Sequence, residues 1–192
     1  WREKDAYSFG SVLGEMDIYL FNEGTHYEVY KKLGAHVMEL GGVAGTHFAV
    51  WAPNAQRVSV VGDFNQWDRR VHAMRKMIPS GVWEIFVPHV QEGAHYKIEV
   101  RGPHGESMLK TDPFAFFAQH GTQTGCMVYD ITRYGWYDAD WMEQRKHRDQ
   151  YNSPMSTYEV HLGSWQRNPE EENRFLSYIE LGDRLIPYVK EL

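Results

Sequence analysis

Cysteine is almost absent from this chain. Its 192 residues include one, Cys126, so no disulfide can close within it, and the usage fits a reducing compartment. Long hydrophobic runs are lacking too. No apolar stretch approaches the ~20 residues that span a bilayer, and the N-terminal WREKDAYSFG has no apolar core of the kind a secretory signal needs. There is no initiator methionine, since the chain opens at Trp1, which points to a piece of a longer protein. Basic residues are outnumbered: 20 Lys and Arg face 26 Asp and Glu, a net charge of −6. A nucleic-acid ligand asks for the opposite balance. These absences together predict a cytoplasmic chain with neither nucleic acid nor membrane as partner.

Several catalytic signatures are lacking as well. The ten histidines show neither the i, i+4 spacing nor the cysteine pairing of a metal site. There is no GxSxG elbow, phosphate-binding loop or Gly-rich dinucleotide turn. Cys126 has no histidine partner nearby in sequence. Glycosidic chemistry needs two carboxylic groups, about 5–5.5 Å apart when configuration is retained. Asp63, Asp68, Glu84 and Glu159 are candidates, but no spacing pairs them, and Glu84 and Glu99 read as solvent-facing strand residues.

Aromatic residues, by contrast, are plentiful: 15% of the chain, with 7 Trp and 12 Tyr. They serve either a core of large side chains or a surface on which the C–H faces of sugar rings stack. The stretch VVGDFNQWD, residues 60–68, poses that choice directly. A β-branched run stops at Gly62, and a polar turn ends in Trp67, which is either tucked beneath the turn or displayed as a platform.

Residues 11–23 space Leu13, Met16 and Leu20 as a helix does, with Gly24 as its stop, and a second helical turn fits 28–33. From Thr46 the period changes to two. THFAVWA, RVSVVGD, VWEIFVP, AHYKIEV and SMLKTDP are strand patterns, with a weaker one at 74–78. Turns at Pro53-Asn54, Pro79-Ser80-Gly81 and Gly102-Pro103-His104-Gly105 separate them. Short alternating strands at this spacing predict an immunoglobulin-like antiparallel β-sandwich over residues 40–125, preceded by a helical lead-in, 1–39. In the sandwich Trp83 belongs to the core, and the pattern does not place Trp51.

Residues 126–154 are expected to be a linker, charge-dense over 138–154 (DADWMEQRKHRDQYNSP). YEVHL then has the pattern of a strand, and a helix follows. Ser177 and Glu180 stand at capping-box spacing, Leu181, Leu185, Val189 and Leu192 form its stripe, and Pro187 interrupts it. A strand and helix need a further strand beside them. Residues 155–192 are therefore expected to be the first β/α unit of an incomplete (β/α)8 barrel.

Four separated segments carry a family resemblance. FAVWAPNAQRVSVVGDFNQWD, GVWEIFVPHVQEGAHYKIEV and LKTDPFAF resemble the N-terminal sandwich of glycogen branching enzymes, a module of carbohydrate-binding family 48. YEVHLGSW and SYIELGDRLIPYVKEL are similar to the opening strand and helix of the catalytic barrel in those enzymes, members of the α-amylase superfamily. The upstream YSFGSVLGEMDIYLFNEGTHYEVYKKLGAH resembles their helical lead-in.

The resemblance implies an enzyme that cuts α-1,4-glucan, holds the piece covalently and transfers it to a 6-hydroxyl. It implies no metal or nucleotide cofactor. The partners it implies are α-1,4-glucan or glycogen and the remainder of the barrel. The Asp nucleophile and Glu acid/base would lie on later strands, downstream of Leu192, so residues 1–192 alone would be inactive.

In glucan-binding relatives the Trp of the FNxW turn stacks on sugar and the Lys of the YK pair hydrogen-bonds to it. Those positions are Trp67 and Lys97 here. Relatives that bind glycogen as isolated modules carry a second Trp in the next hairpin, and RGPHGES has none. One platform instead of two implies weak affinity, each stacked ring contributing on the order of 1 kcal/mol. Trp165, at the end of the barrel strand, is the third expected substrate contact, bordering the glucan cleft. Two other functions fit the same segments: a free-standing glucan-binding module, or another α-amylase-type enzyme such as an isoamylase-type debranching enzyme or a trehalose-forming hydrolase.

Overall fold

The structure, a computed structural model, describes residues 4–149 and 151–192. They form two compact units, one ending at Gly135 and the other beginning at Trp136.

The first unit is mainly β. Its strands are β1 (Gly34–Leu40), β2 (Val43–Trp51), β3 (Arg57–Gly62), β4 (Arg75–Met77), β5 (Val82–Pro88), β6 (His95–Arg101), β7 (Ser107–Lys110), β8 (Phe117–Ala118) and β9 (Cys126–Met127). One antiparallel sheet runs β1-β2-β5-β4. The other runs β3-β6-β9-β8, with β7 also on β6. The period-two pattern explains the core. Phe48, Val50, Trp83, Ile85 and Val87 point inward from the first sheet and meet Val58, Val60, Tyr96, Ile98 and Cys126 from the second. Trp83 is a core residue as expected, and its indole N–H donates to the Ala52 carbonyl at 2.9 Å.

The outer face of the first sheet is buried as well, because the lead-in lies on it. Helix α1 (Glu15–Glu23) starts at Gly14, whose amide donates to Asp17, and ends at Gly24 in the left-handed region, φ 80°. Leu13, Leu33, Ala49 and Val82 form a second apolar cluster there, with Ile18 and Phe21 against it, and Phe9 meets Phe86 edge-on at 4.7 Å.

This layer corrects the solvent-facing assignment of Glu84, which is only 2% exposed. Its carboxylate accepts from the Ser11 hydroxyl, the Val12 and Leu13 amides (3.2 and 3.1 Å) and His47 Nε2 (3.0 Å). Glu99 is likewise buried, with an Arg57 guanidinium nitrogen 3.3 Å from its carboxylate. Polar alternation marks the outer face of a strand but does not show whether another layer covers it.

The second unit contains α2 (Ala139–His147), α3 (Leu162–Trp165), the two-residue strands β10 (Arg167–Asn168) and β11 (Arg174–Phe175), and α4 (Tyr178–Glu191). The expected helix is present, and its capping box is formed: Ser177 accepts from the Glu180 amide while Glu180 accepts from that of Ser177. The expected strand at YEVHL is not formed, and residues 155–161 lie in neither strand nor helix. Strand backbone is stable only where a neighbour takes its amides and carbonyls. No strand among the described residues pairs with this segment.

Candidate functional site

The turn after β3 is built around a glycine and a buried amide. At Gly62 an added Cβ would collide with the His95 carbonyl and the Phe64 ring, so only glycine permits β3 and β6 to approach this closely. Asp63–Asn65 then make one 3-10 turn. The buried Asn65 accepts from the Gly62 amide at 2.9 Å and donates to the Val60 carbonyl at 2.9 Å. Its amide nitrogen also lies 3.0 Å from His72 Nδ1.

Gln66 and Trp67 follow at φ 54° and 60°, a left-handed conformation that costs non-glycine residues roughly 1–2 kcal/mol each. Three backbone bonds hold it: Gln66 N to the Asp63 carbonyl (3.4 Å), Trp67 N to that of Gly62 (2.9 Å) and Asp68 N to that of Asn65 (3.0 Å). Strain of this kind concentrates at working sites. Trp67 is 40% exposed, and its indole N–H donates to Asp63 at 3.1 Å.

Asp63 also binds the next strand. Its other oxygen accepts from the His95 amide at 3.3 Å and lies 3.1 Å from His95 Nδ1. Two residues on, and so on the same face of β6, Lys97 donates from Nζ to the Thr124 hydroxyl at 2.7 Å. Thr124 is fixed in turn, its carbonyl accepting from the Thr111 hydroxyl at 2.8 Å. The structure thus brings Trp67 and Lys97 onto one half-open face of the second sheet and adds Asp63, His95 and Thr124 to it. Nothing in the sequence marks these three for binding, and Asp63 stands out there only as a candidate catalytic carboxylate. The surface offers an aromatic ring beside charged and hydroxyl groups, which suits a ligand with apolar faces and hydroxyl edges.

Residues 32–115 match carbohydrate-binding module 48 (Isoamylase N-terminal domain). The chain is also similar over its whole length to bacterial proteins named 1,4-alpha-glucan branching enzyme GlgB. It is 53% identical to that of Roseobacter denitrificans, spanning 100% of this chain and 26% of the relative. With that of Gloeobacter violaceus the identity is 50%, over 100% of this chain and 27% of the relative. The chain therefore spans about a quarter of the length of these relatives. Among solved structures, a maltotriose complex of a Klebsiella pneumoniae PulA mutant aligns with TM-score 0.44 and 26% identity. That alignment covers 53% of this chain and 11% of the other, too slight a likeness to build on.

The other candidate residues of the first unit have structural tasks. Trp51, 55% exposed, donates to the Ser80 carbonyl at 3.0 Å and meets Phe21 edge-on at 6.2 Å. Cys126 is buried, and burial pushes its thiol pKa up, away from the thiolate that a nucleophile requires. Asp68 is held down at about 2 by the Arg70 side chain, which unfits it as a proton donor at neutral pH. Among the described residues no group of three or more His, Cys, Asp and Glu side chains is arranged to hold a metal ion. Trp165 belongs to the second unit. It closes α3 and packs against the Tyr188 ring at 5.7 Å.

Proposed function

We propose that the chain is the N-terminal part of a 1,4-α-glucan branching enzyme of glycogen synthesis in the cytoplasm, and that its sandwich docks α-1,4-glucan at Trp67 and Lys97. The observation that carries this reading is the displayed Trp67, tied through Asp63 to His95 on the β6 face that also carries Lys97, in a chain half identical throughout to proteins named for branching. On this reading the parent enzyme moves α-1,4-linked segments onto 6-hydroxyls, and its reactive carboxylates lie outside residues 1–192.

Residues 155–192 supply the opening strand and helix of the barrel once its further strands are beside them, and the sandwich, which runs from β1 to β9 and so reaches past the expected 40–125 at both ends, is its buttress. The exposed apolar side chains of α4 support this: Ile179, Ile186 and Val189 face solvent, as does Leu192 just past its end, and they fit a helix made to pack on further elements. Trp165 then borders the glucan cleft.

Electrophoresis through a glycogen-containing gel tests the docking. The chain is expected to be retarded, and Trp67→Ala and Lys97→Ala each to weaken retardation about fivefold, the loss of one stacked or charge-assisted contact. Migration unaffected by glycogen would overturn the reading. The chain alone is expected to form no new α-1,6 linkages from amylose, read by proton NMR.

A further inference from the structure

The register of the second sheet carries the candidate face beyond Lys97. His95 pairs with Met127 on β9, and Met127 pairs with Phe117 on β8. Directly opposed residues in neighbouring strands send their side chains to the same face. The alternate row, Tyr96, Cys126 and Ala118, is the inward one, since Tyr96 and Cys126 are fully buried in the core. His95, Met127 and Phe117 therefore form an outward row across three strands. Asp63, bonded to both His95 and Trp67, joins the Trp67 turn to the end of that row.

Phe117 is 41% exposed and lies on the last strand of the β3-β6-β9-β8 order. Its ring is braced. Tyr129 packs on it with centroids 5.5 Å apart and planes 30° apart. Tyr129 is fixed in turn by Arg133, whose guanidinium lies 4.5 Å from the ring centroid and donates to the phenol oxygen at 2.8 Å. Three strand spacings separate β3 from β8, about 14 Å. Between the aromatic ends lie the His95 imidazole, the Met127 side chain and the Lys97–Thr124 pair.

We propose that Phe117, backed by Tyr129, is a second sugar-stacking platform, and that an α-1,4-glucan chain lies across the strands from Trp67 to Phe117. This rests on the docking reading above and extends it. A run of hexose rings presents apolar faces and hydroxyl edges in repetition, which matches an aromatic–polar–aromatic row. A continuous apolar ligand would take the Lys97 ammonium out of water with only the neutral Thr124 hydroxyl as its partner, a costly arrangement. The cross-strand platform also supplies the second ring that the 102–106 hairpin lacks.

Titration calorimetry with maltoheptaose and maltotriose tests it on the full chain and on Phe117→Ala, Phe117→Trp, Trp67→Ala and Lys97→Ala. Phe117→Ala is expected to weaken maltoheptaose about fivefold and leave maltotriose, too short to reach both rings, unchanged. Phe117→Trp is expected to restore or exceed the original affinity. Thermal melts check that each variant folds. If Phe117→Ala binds maltoheptaose as the parent does while Trp67→Ala and Lys97→Ala do not, the second platform is wrong and the docking reading stands. An equal loss for both ligands also overturns the cross-strand path. If none of the alanine variants changes binding, the docking reading itself fails.

Discussion

Asn65, a single buried amide, holds Trp67 where it is. It takes part in three polar contacts at the turn, and these help to hold the strained backbone of Gln66 and Trp67. Asn65→Ala removes all three and leaves the Gly62 amide without its acceptor, so about 2–3 kcal/mol of stability should be lost, read from the urea midpoint. Glucan retardation should fall in parallel. Unchanged stability would mean that the turn holds its conformation without Asn65.

Glu84 gives a second residue-scale prediction. Burial raises its pKa, but the bonds from His47, Ser11 and Leu13 outweigh burial, and the net shift is downward from 4.5. A carboxylate whose folded pKa is depressed stabilises the fold fully above its unfolded pKa, and that contribution disappears as pH falls through the folded value. The melting temperature should therefore drop as pH falls below about 4.5, and Glu84→Gln should flatten that acid limb. At neutral pH the variant should lose about 2–3 kcal/mol, as expected when bonds to a charged acceptor are replaced by weaker ones. A variant whose acid limb matched the parent's would show that Glu84 is not the titrating group.

At the scale of elements, what was legible follows from pattern length. β2, β3, β5 and β6 each run six to nine residues with a period-two apolar row toward the core, and the sequence shows them. β1 escapes it, because GAHVMEL alternates poorly and its identity comes from pairing with β2 along its full length. β8 and β9 are two residues each, too short for any periodicity to register. Within the candidate face, Trp67 and Lys97 sit in a turn motif and a period-two strand, both local signals. Asp63, His95, Thr124 and Phe117 meet only through inter-strand register, which a single strand does not encode. α4 was legible from both its stripe and its cap. Ser177→Ala should cost about 1 kcal/mol, visible as reduced helicity and faster amide exchange in the first turn of α4. No change in either would make the capping box dispensable.

At the scale of the molecule, the two units differ in how their backbone is satisfied. In the first, two sheets enclose a shared core, and their ladders should open only with global unfolding. In the second, Leu176 and Leu181 are the buried large apolar residues, residues 155–161 belong to no ladder, and α4 keeps several apolar side chains in solvent. A segment with few buried contacts and no regular backbone pairing opens at little free-energy cost. Hydrogen exchange should therefore sort the chain into classes: amides of β2, β5 and β6 protected near the global limit, those of α4 intermediate, and those of 155–161 exchanging close to the unpaired rate. Adding maltoheptaose should slow exchange around Trp67, Lys97 and Thr124 and leave 155–161 unchanged. Protection of 155–161 equal to that of β5 would mean that the second unit closes its own hydrogen-bond network, which removes the reason to see in it a β/α element awaiting barrel neighbours.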